Sequence, residues 1–225
     1  MKNVTIEAFI KAVDKPYFDA FLNGEICMNS LKWFRQYESE NKAIGDKYED
    51  ASFAIPEKAS FYWSPSGDVK DLKLINDEVK DVLIHDIHGN ILSLYTVHNF
   101  VNGIHYIPKQ FLSEFNHHRF CLITAPNTFI SRLENEIKKK NFSPEHKLVK
   151  YFTPDSRGIK LNPFIKRDKY SYQNEARIYF QNSKDEKVII NISPLYNIAC
   201  EIFPNEKKYK IFDPYGKELI IMKES

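Results

Sequence analysis

Cysteine and glycine are scarce in this 225-residue chain, and their scarcity excludes several classes of protein. The three cysteines, Cys27, Cys121 and Cys200, are widely spaced, so we expect neither a disulfide framework nor a paired-cysteine zinc module. Only seven glycines are present, and no P-loop, Gly-x-Gly-x-x-Gly or Gly-x-Ser-x-Gly motif occurs. These features predict a protein of the reducing cytoplasm without a glycine-rich phosphate loop.

Excess charge and long apolar runs are also lacking. Lys and Arg number 32 against 30 Asp and Glu, so no general attraction to nucleic acid or anionic lipid is indicated. No apolar leader is visible at the start of the sequence. The one long stretch without charged residues, 87–108, contains three histidines and three asparagines, which makes insertion into lipid costly. We therefore predict no membrane partner.

The order of predicted elements indicates a single α+β domain over residues 1–225, with a mainly antiparallel or mixed sheet and a few flanking helices. Short helices are predicted near 16–23, 30–38 and 107–117, and a β-hairpin over 82–97. The strongest helix prediction is 128–140, capped by Asn127 and burying Ile130, Leu133 and Ile137.

The segment 170–180 is the most suggestive of chemistry. If it forms a strand, Gln173, Glu175 and Arg177 share one face, and the even-numbered residues 176–180 point into the core. On such a face the amide can orient a sugar hydroxyl, and the carboxylate, kept ionised by Arg177, can stabilise a developing cation. The alternative is a solvated outer face, on which Glu175 is half-exposed and its ion pair contributes little to stability.

A second group of polar residues follows the predicted strand at 25–29. Asn29 and Ser30 are expected at an exposed strand–helix junction, where free backbone N–H groups can meet a phosphate. Ser30 can also cap the helix. Asp46, Glu49 and Asp50 have a spacing that suits a hard cation, but a solvated acidic helix start is the favoured interpretation, and we expect no metal.

The remaining catalytic patterns are weak. His85 and His88 have a His-x-x-His spacing that spans a turn, so structural histidines are favoured over a zinc site. Asp155 with Glu175 and Arg177 has the outline of a metal-dependent nuclease, but arginine stands where that core needs lysine.

Two blocks of the chain resemble a widespread family of uncharacterised bacterial and phage-encoded proteins. The first is 23–50, with its Met-Asn-Ser-Leu, Phe-Arg and Gly-Asp elements, and the second is the Gln-x-Glu-x-Arg run at 173–177. The resemblance implies a phage-related setting, in which a role in defence or counter-defence is expected.

The late block also resembles the Gln/Glu-x-Glu element of ADP-ribosyltransferases, in which the second acid assists cleavage of the nicotinamide–ribose bond of NAD. The resemblance implies NAD as cofactor and a transferase or glycohydrolase activity, with Glu175, Gln173 and Arg177 as catalytic residues. The first strand of such enzymes carries an Arg or His that holds NAD, and the chain departs from this pattern, because residues 4–13 contain neither and offer only Lys11. The residues implied to bind NAD are Asn29, Ser30, Phe34 and Arg35.

If these blocks form one site, Asn29 and Ser30 should lie close to Glu175. The alternative function is a non-catalytic inhibitor that binds a host or defence protein through exposed aromatic side chains. The candidate aromatic residues are Tyr37, Tyr62, Trp63, Tyr106 and Tyr215.

Overall fold

The computed structural model describes residues 5–37, 44–55, 62–63, 73–74, 82–98, 100–153, 159–205, 207–212 and 216–224. It confirms the α+β class with mainly antiparallel strands. The helices are α1 (Phe18–Leu22), α2 (Leu31–Tyr37), α3 (Lys109–Glu114) and α4 (Pro126–Lys139), with 3-10 helices at Lys15–Tyr17 and Asp168–Gln173. The strands are β1 (Ala8–Asp14), β2 (Glu25–Ser30), β3 (Ala51–Ile55), β4 (Tyr62–Trp63), β5 (Lys73–Leu74), β6 (Val82–His85), β7 (Asn90–Val97), β8 (Ile104–Ile107), β9 (His118–Ile123), β10 (Pro144–Leu148), β11 (Lys150–Phe152), β12 (Ile159–Lys160), β13 (Ile165–Arg167), β14 (Glu175–Phe180), β15 (Val188–Asn191), β16 (Ala199–Ile202), β17 (Tyr209–Phe212) and β18 (Glu218–Lys223).

The main sheet has the strand order β10-β14-β7-β1-β9-β16, and every neighbouring pair in it is antiparallel. The central strand β7 is buried at seven of its eight residues, including the polar Asn90 and Thr96. The predicted hairpin over 82–97 is wrong, since β6 pairs with β3 in a separate sheet. The apolar runs correctly predicted two strands, β6 and β7, but these strands do not pair with each other although they are adjacent in sequence.

One edge of β7 is divided between two strands. β1 pairs with the end of β7 at Tyr95–Val97, whereas β2 pairs with its start at Asn90–Ile91. Residues 92–94 have a partner on neither β1 nor β2. The sheet therefore opens between β1 and β2, and β2 continues outward to β15.

One face of the main sheet packs against α4. Ile178 and Phe180 lie in this core with Phe129 and Leu133, so the alternation predicted for 176–180 is confirmed. The predicted Asn127 cap is wrong, because the helix begins at Pro126 and Ala125 occupies the capping position without a side-chain bond. Proline suits the first helical turn, where its missing N–H has no acceptor to lose.

The opposite face of the sheet is covered only in part. Ile10, Tyr95 and Leu122 pack beneath α3 and the three-stranded sheet β17-β18-β8. The rest of this face carries Glu175 and Arg177 and borders a cleft. Across the described ranges, no helix is long and apolar enough to cross a membrane.

Candidate functional site

A cleft of about 660 Å³ lies where the main sheet opens between β1 and β2. Side chains of β14, β7, β1 and β2 form its floor, and α2 and α3 contribute to its walls. A volume of this size falls within the range of small-molecule sites in proteins. The division of the edge of β7 therefore produces a cavity of ligand size.

The structure brings five of the predicted site residues to this cleft: Gln173, Glu175, Arg177, Asn29 and Phe34. The predicted solvated face is wrong, since Gln173, Glu175 and Arg177 are 4%, 5% and 1% exposed. Gln173 ends a 3-10 helix, and β14 begins only at Glu175. Period-two alternation could not detect that the polar face is covered by distant segments of the chain.

Glu175 belongs to a buried cluster of two carboxylates and two cations. Its Oε1 accepts a hydrogen bond from Lys166 Nζ at 2.6 Å, and its Oε2 accepts one from Arg177 Nε at 2.8 Å. The remaining Arg177 nitrogens donate to both oxygens of Glu49 at 2.6 and 2.8 Å. The four formal charges cancel, which makes burial of the cluster tolerable.

The charge state of Glu175 follows from these contacts. Burial by itself would raise its pKa, but attraction to Arg177 and Lys166, with their hydrogen bonds, outweighs burial and holds the pKa below its ordinary value. For Glu49, burial is the larger effect and raises the pKa, although Arg177 and Lys166 oppose the shift. Glu175 is therefore held in its ionised form at the cleft.

The Gln173 amide is held at both ends. Its Oε1 accepts a hydrogen bond from Lys166 Nζ at 2.8 Å, and its Nε2 donates to the Tyr172 hydroxyl at 3.1 Å. Tyr172 in turn donates to Glu114. The amide is thus fixed in orientation at the cleft wall, and these two bonds hold its polar atoms toward neighbouring side chains.

Asn29 and Ser30 differ in their surroundings. Asn29 lines the cleft, whereas Ser30 is 1% exposed and does not line it. The Ser30 hydroxyl accepts a hydrogen bond from the Trp33 N–H at 3.2 Å, as predicted for a helix cap, and donates to the Asp185 carbonyl at 3.3 Å. The expected exposure of Ser30 is therefore wrong, and its assignment to NAD binding stays a prediction.

The expected closeness of Asn29 and Ser30 to Glu175 is also corrected. Asn29 and Ile91 are paired, and Ile91 pairs with Tyr179 on its other side. Asn29 is therefore two strands and four residues away from Glu175 in the sheet, or roughly 16 Å between Cα atoms. The two residues belong to different parts of one cleft.

Arg35 lies outside the cleft lining and forms an ion pair with Asp50 at 2.9 Å, so the cleft gives no support to its assignment to NAD binding, which stays a prediction. Asp50 also contacts His85 Nδ1 at 2.5 Å. Asp46 pairs with Arg167 Nη2 at 2.5 Å.

The acidic segment 44–50 is therefore not a solvated helix start. Asp46, Glu49 and Asp50 are at most 5% exposed, and each has a cationic partner from another part of the chain. Within the described residues, no group of three metal-binding side chains is assembled. Sequence spacing placed these acids on one face, but the fold uses each of them to hold a different segment.

Aromatic side chains of α2 form one wall of the cleft. Trp33 and Tyr37 are stacked with ring centroids 4.5 Å apart, and Phe34 meets Trp33 edge-on at 4.9 Å. Tyr37, predicted as an interface residue, is thus part of the cleft. Tyr106, on β8 of the three-stranded sheet β17-β18-β8, is 43% exposed. The side chains of residues 62, 63 and 215 lie outside the described part of the structure.

The weaker catalytic patterns gain no support. His88 lies near Asp185 at 3.3 Å and not near His85's partner Asp50, so the His-x-x-His pair is not assembled as a site. The nuclease outline depends on Asp155, which lies outside the described residues. Sequence reasoning missed Lys166, because nothing in its local pattern distinguishes it from a surface lysine.

Comparison of the chain with protein-family models, curated proteins and solved structures finds no match. Its function must therefore be inferred from the chemistry of the cleft.

Proposed function

We propose that the protein is an ADP-ribosyltransferase-like enzyme that acts on NAD in the cleft between β1 and β2, with Glu175 as its key carboxylate. The observation that carries this proposal is an ionised carboxylate, held by two cations, in the wall of a cavity of ligand size. The phage and defence setting implied by the sequence is part of the same proposal.

The chemistry needs a fixed negative charge beside the sugar. When the nicotinamide–ribose bond breaks, its electron pair leaves with nicotinamide, and positive charge develops on the ribose. A carboxylate oriented in advance stabilises that charge without reorganisation. Lys166 and Arg177 fix Glu175 in place but also offset part of its charge, so its contribution comes through direct contact with the sugar at the cleft surface.

The aromatic wall and Asn29 supply the other contacts that such a ligand requires. Trp33, Phe34 and Tyr37 offer ring faces and edges to a planar base. The Asn29 amide at the cleft can hydrogen-bond to the polar edge of the same base. Asn29 and Glu175 lie roughly 16 Å apart in the sheet, so an extended dinucleotide suits the cleft better than a compact ligand.

The test measures release of nicotinamide from NAD by chromatography. The reaction is run at a temperature at which circular dichroism shows that each variant is folded. Wild-type protein should release nicotinamide, and Glu175→Gln should lower the rate by about 100- to 1,000-fold. Glu201→Gln is the matched control, because Glu201 is also paired with an arginine, Arg119, but lies outside the cleft. Equal loss in both variants, or no release by the wild type, would refute the proposal.

A non-catalytic binding protein is the second candidate function. Both oxygens of Glu175 are engaged by cations, which is also the arrangement of a purely structural ion pair. Tyr17 and Tyr196 are 65% and 62% exposed and could contact a host or defence protein. Failure of the wild type to bind or cleave NAD, together with host-protein binding that Tyr196→Ser abolishes, would favour this candidate.

A further inference from the structure

Lys11 is a lysine of the cleft for which the proposed reaction has no use. It lies on β1 beside the opening in the sheet, where β7 residues 92–94 lack a partner strand on that edge. Its Nζ donates to the Ser93 backbone carbonyl at 3.1 Å. In the described part of the chain, Lys11 forms no ion pair within 4 Å, whereas Lys166 and Arg177 are both paired with carboxylates.

The surroundings of Lys11 shift the balance of its amine toward the uncharged form. Val13, Leu92 and Leu94 line the cleft with it, and burial lowers the pKa of Lys11. Three acidic groups, Glu175 on β14, Asp14 on β1 and Cys27 on β2, act in the opposite direction and raise the pKa of Lys11. His118 on β9 is another titratable neighbour. Burial outweighs these groups because none of the carboxylates makes direct contact with the amine.

We propose that Lys11 is a nucleophilic amine that condenses with an aldehyde or ketone entering the cleft. The amine nitrogen attacks the carbonyl carbon to give a carbinolamine. Loss of water, which carries away the carbonyl oxygen and the two amine protons, then forms the imine. The Ser93 carbonyl orients the amine by accepting one N–H and leaves the lone pair available for attack. This reaction does not depend on NAD cleavage.

The chain provides an internal comparator in Lys187. This lysine also lines the cleft, but it is exposed and has no hydrogen bond or ion pair among the described residues. An ordinary lysine has only about one part in a thousand of its amine uncharged near pH 7.4, and each unit by which a pKa falls raises that fraction about tenfold. Lys11 should therefore react before Lys187 although it is less accessible.

The experiment treats the full chain with glycolaldehyde and cyanoborohydride at pH 7.4 and maps the reduced adducts by peptide mass spectrometry. We expect Lys11 to be modified faster than Lys187. The preference should vanish in 8 M urea, where both lysines are solvated. Lys11→Arg, which replaces the amine by a guanidinium that forms no imine, should remove only the fast adduct. Modification of Lys11 at the rate of Lys187 or slower, whether from a protonated or an inaccessible amine, would overturn the proposal.

Discussion

Neutralising Glu175 should destabilise the fold as well as the proposed chemistry. The substitution Glu175→Gln keeps the shape of the side chain and removes one of two negative charges from the buried cluster. Lys166 and Arg177 then share only Glu49, so one positive charge is left uncompensated at positions 1–5% exposed. Breaking a buried ion pair from one side typically costs about 3–5 kcal/mol. The sequence had instead suggested a half-exposed residue whose removal would leave stability unchanged.

The expected shift in melting temperature follows from the size of the chain. An unfolding entropy of about 2.1 cal/mol/K per residue gives roughly 0.5 kcal/mol/K for 225 residues. A loss of 3–5 kcal/mol therefore lowers Tm by about 6–11 °C. Differential scanning calorimetry at pH 7.5 measures this shift directly.

Two further variants make the result specific. Glu145→Gln alters an exposed carboxylate on β10, the strand next to β14, that pairs with Lys147 of the same strand, and it should cost at most about 1 kcal/mol. Adding Lys166→Met to Glu175→Gln restores a neutral cluster, so the double variant should be more stable than the sum of the single losses by about 0.5–3 kcal/mol. If Glu175→Gln lowered Tm by no more than Glu145→Gln does, the view that the cluster is buried and tightly coupled would be refuted.

Three other outcomes are expected. Cys27 lines the cleft and is exposed, so NAD at ten times its Kd should slow the alkylation of Cys27 about elevenfold. Alkylation of Cys200, which lies outside the cleft, should be unaffected. Peptide mass spectrometry measures both rates. Burial lowers the pKa of His105, so the unfolded state binds more protons below about pH 6.5 and stability should fall from pH 7 to pH 5. Urea titrations at each pH should show that the free energy of unfolding falls less between pH 7 and pH 5 in His105→Gln than in the wild type. An equal fall in both proteins would contradict the reasoning. Gly24 has φ +96°, and an added Cβ would lie 2.2 Å from the Ile192 carbonyl oxygen. Gly24→Ala should therefore lower the free energy of unfolding by more than about 1 kcal/mol. The loss should exceed that of Gly216→Ala, whose added Cβ meets open space.

The sequence predicted local structure well where one period dominated. The stripe on α4 and the inward residues of β14 were apparent because burial imposes a repeat of 3.6 or 2 residues. The Ser30 cap was recognised for a similar reason, since its hydroxyl acts on a backbone group only three residues away. These predictions concern neighbours in sequence.

The cleft could not be predicted because it depends on partners far apart in the chain. Arg177 meets Glu49 across 128 residues, and no local pattern shows that Glu49 covers the face of β14. The division of β7 between β1 and β2 is likewise a property of the whole sheet. A Glu-x-Arg alternation reads the same on a solvated strand and on a buried one, so its environment had to come from the fold.

The central claim is tested most directly by comparing NAD cleavage with NAD binding in the same Glu175→Gln preparation. Nicotinamide release gives the rate, and protection of Cys27 from alkylation gives the occupancy of the cleft. If Glu175 stabilises the developing ribose cation, cleavage should fall by about 100- to 1,000-fold while protection by NAD persists at 20 °C. Cleavage at the wild-type rate with Cys27 still protected would contradict a catalytic role for Glu175.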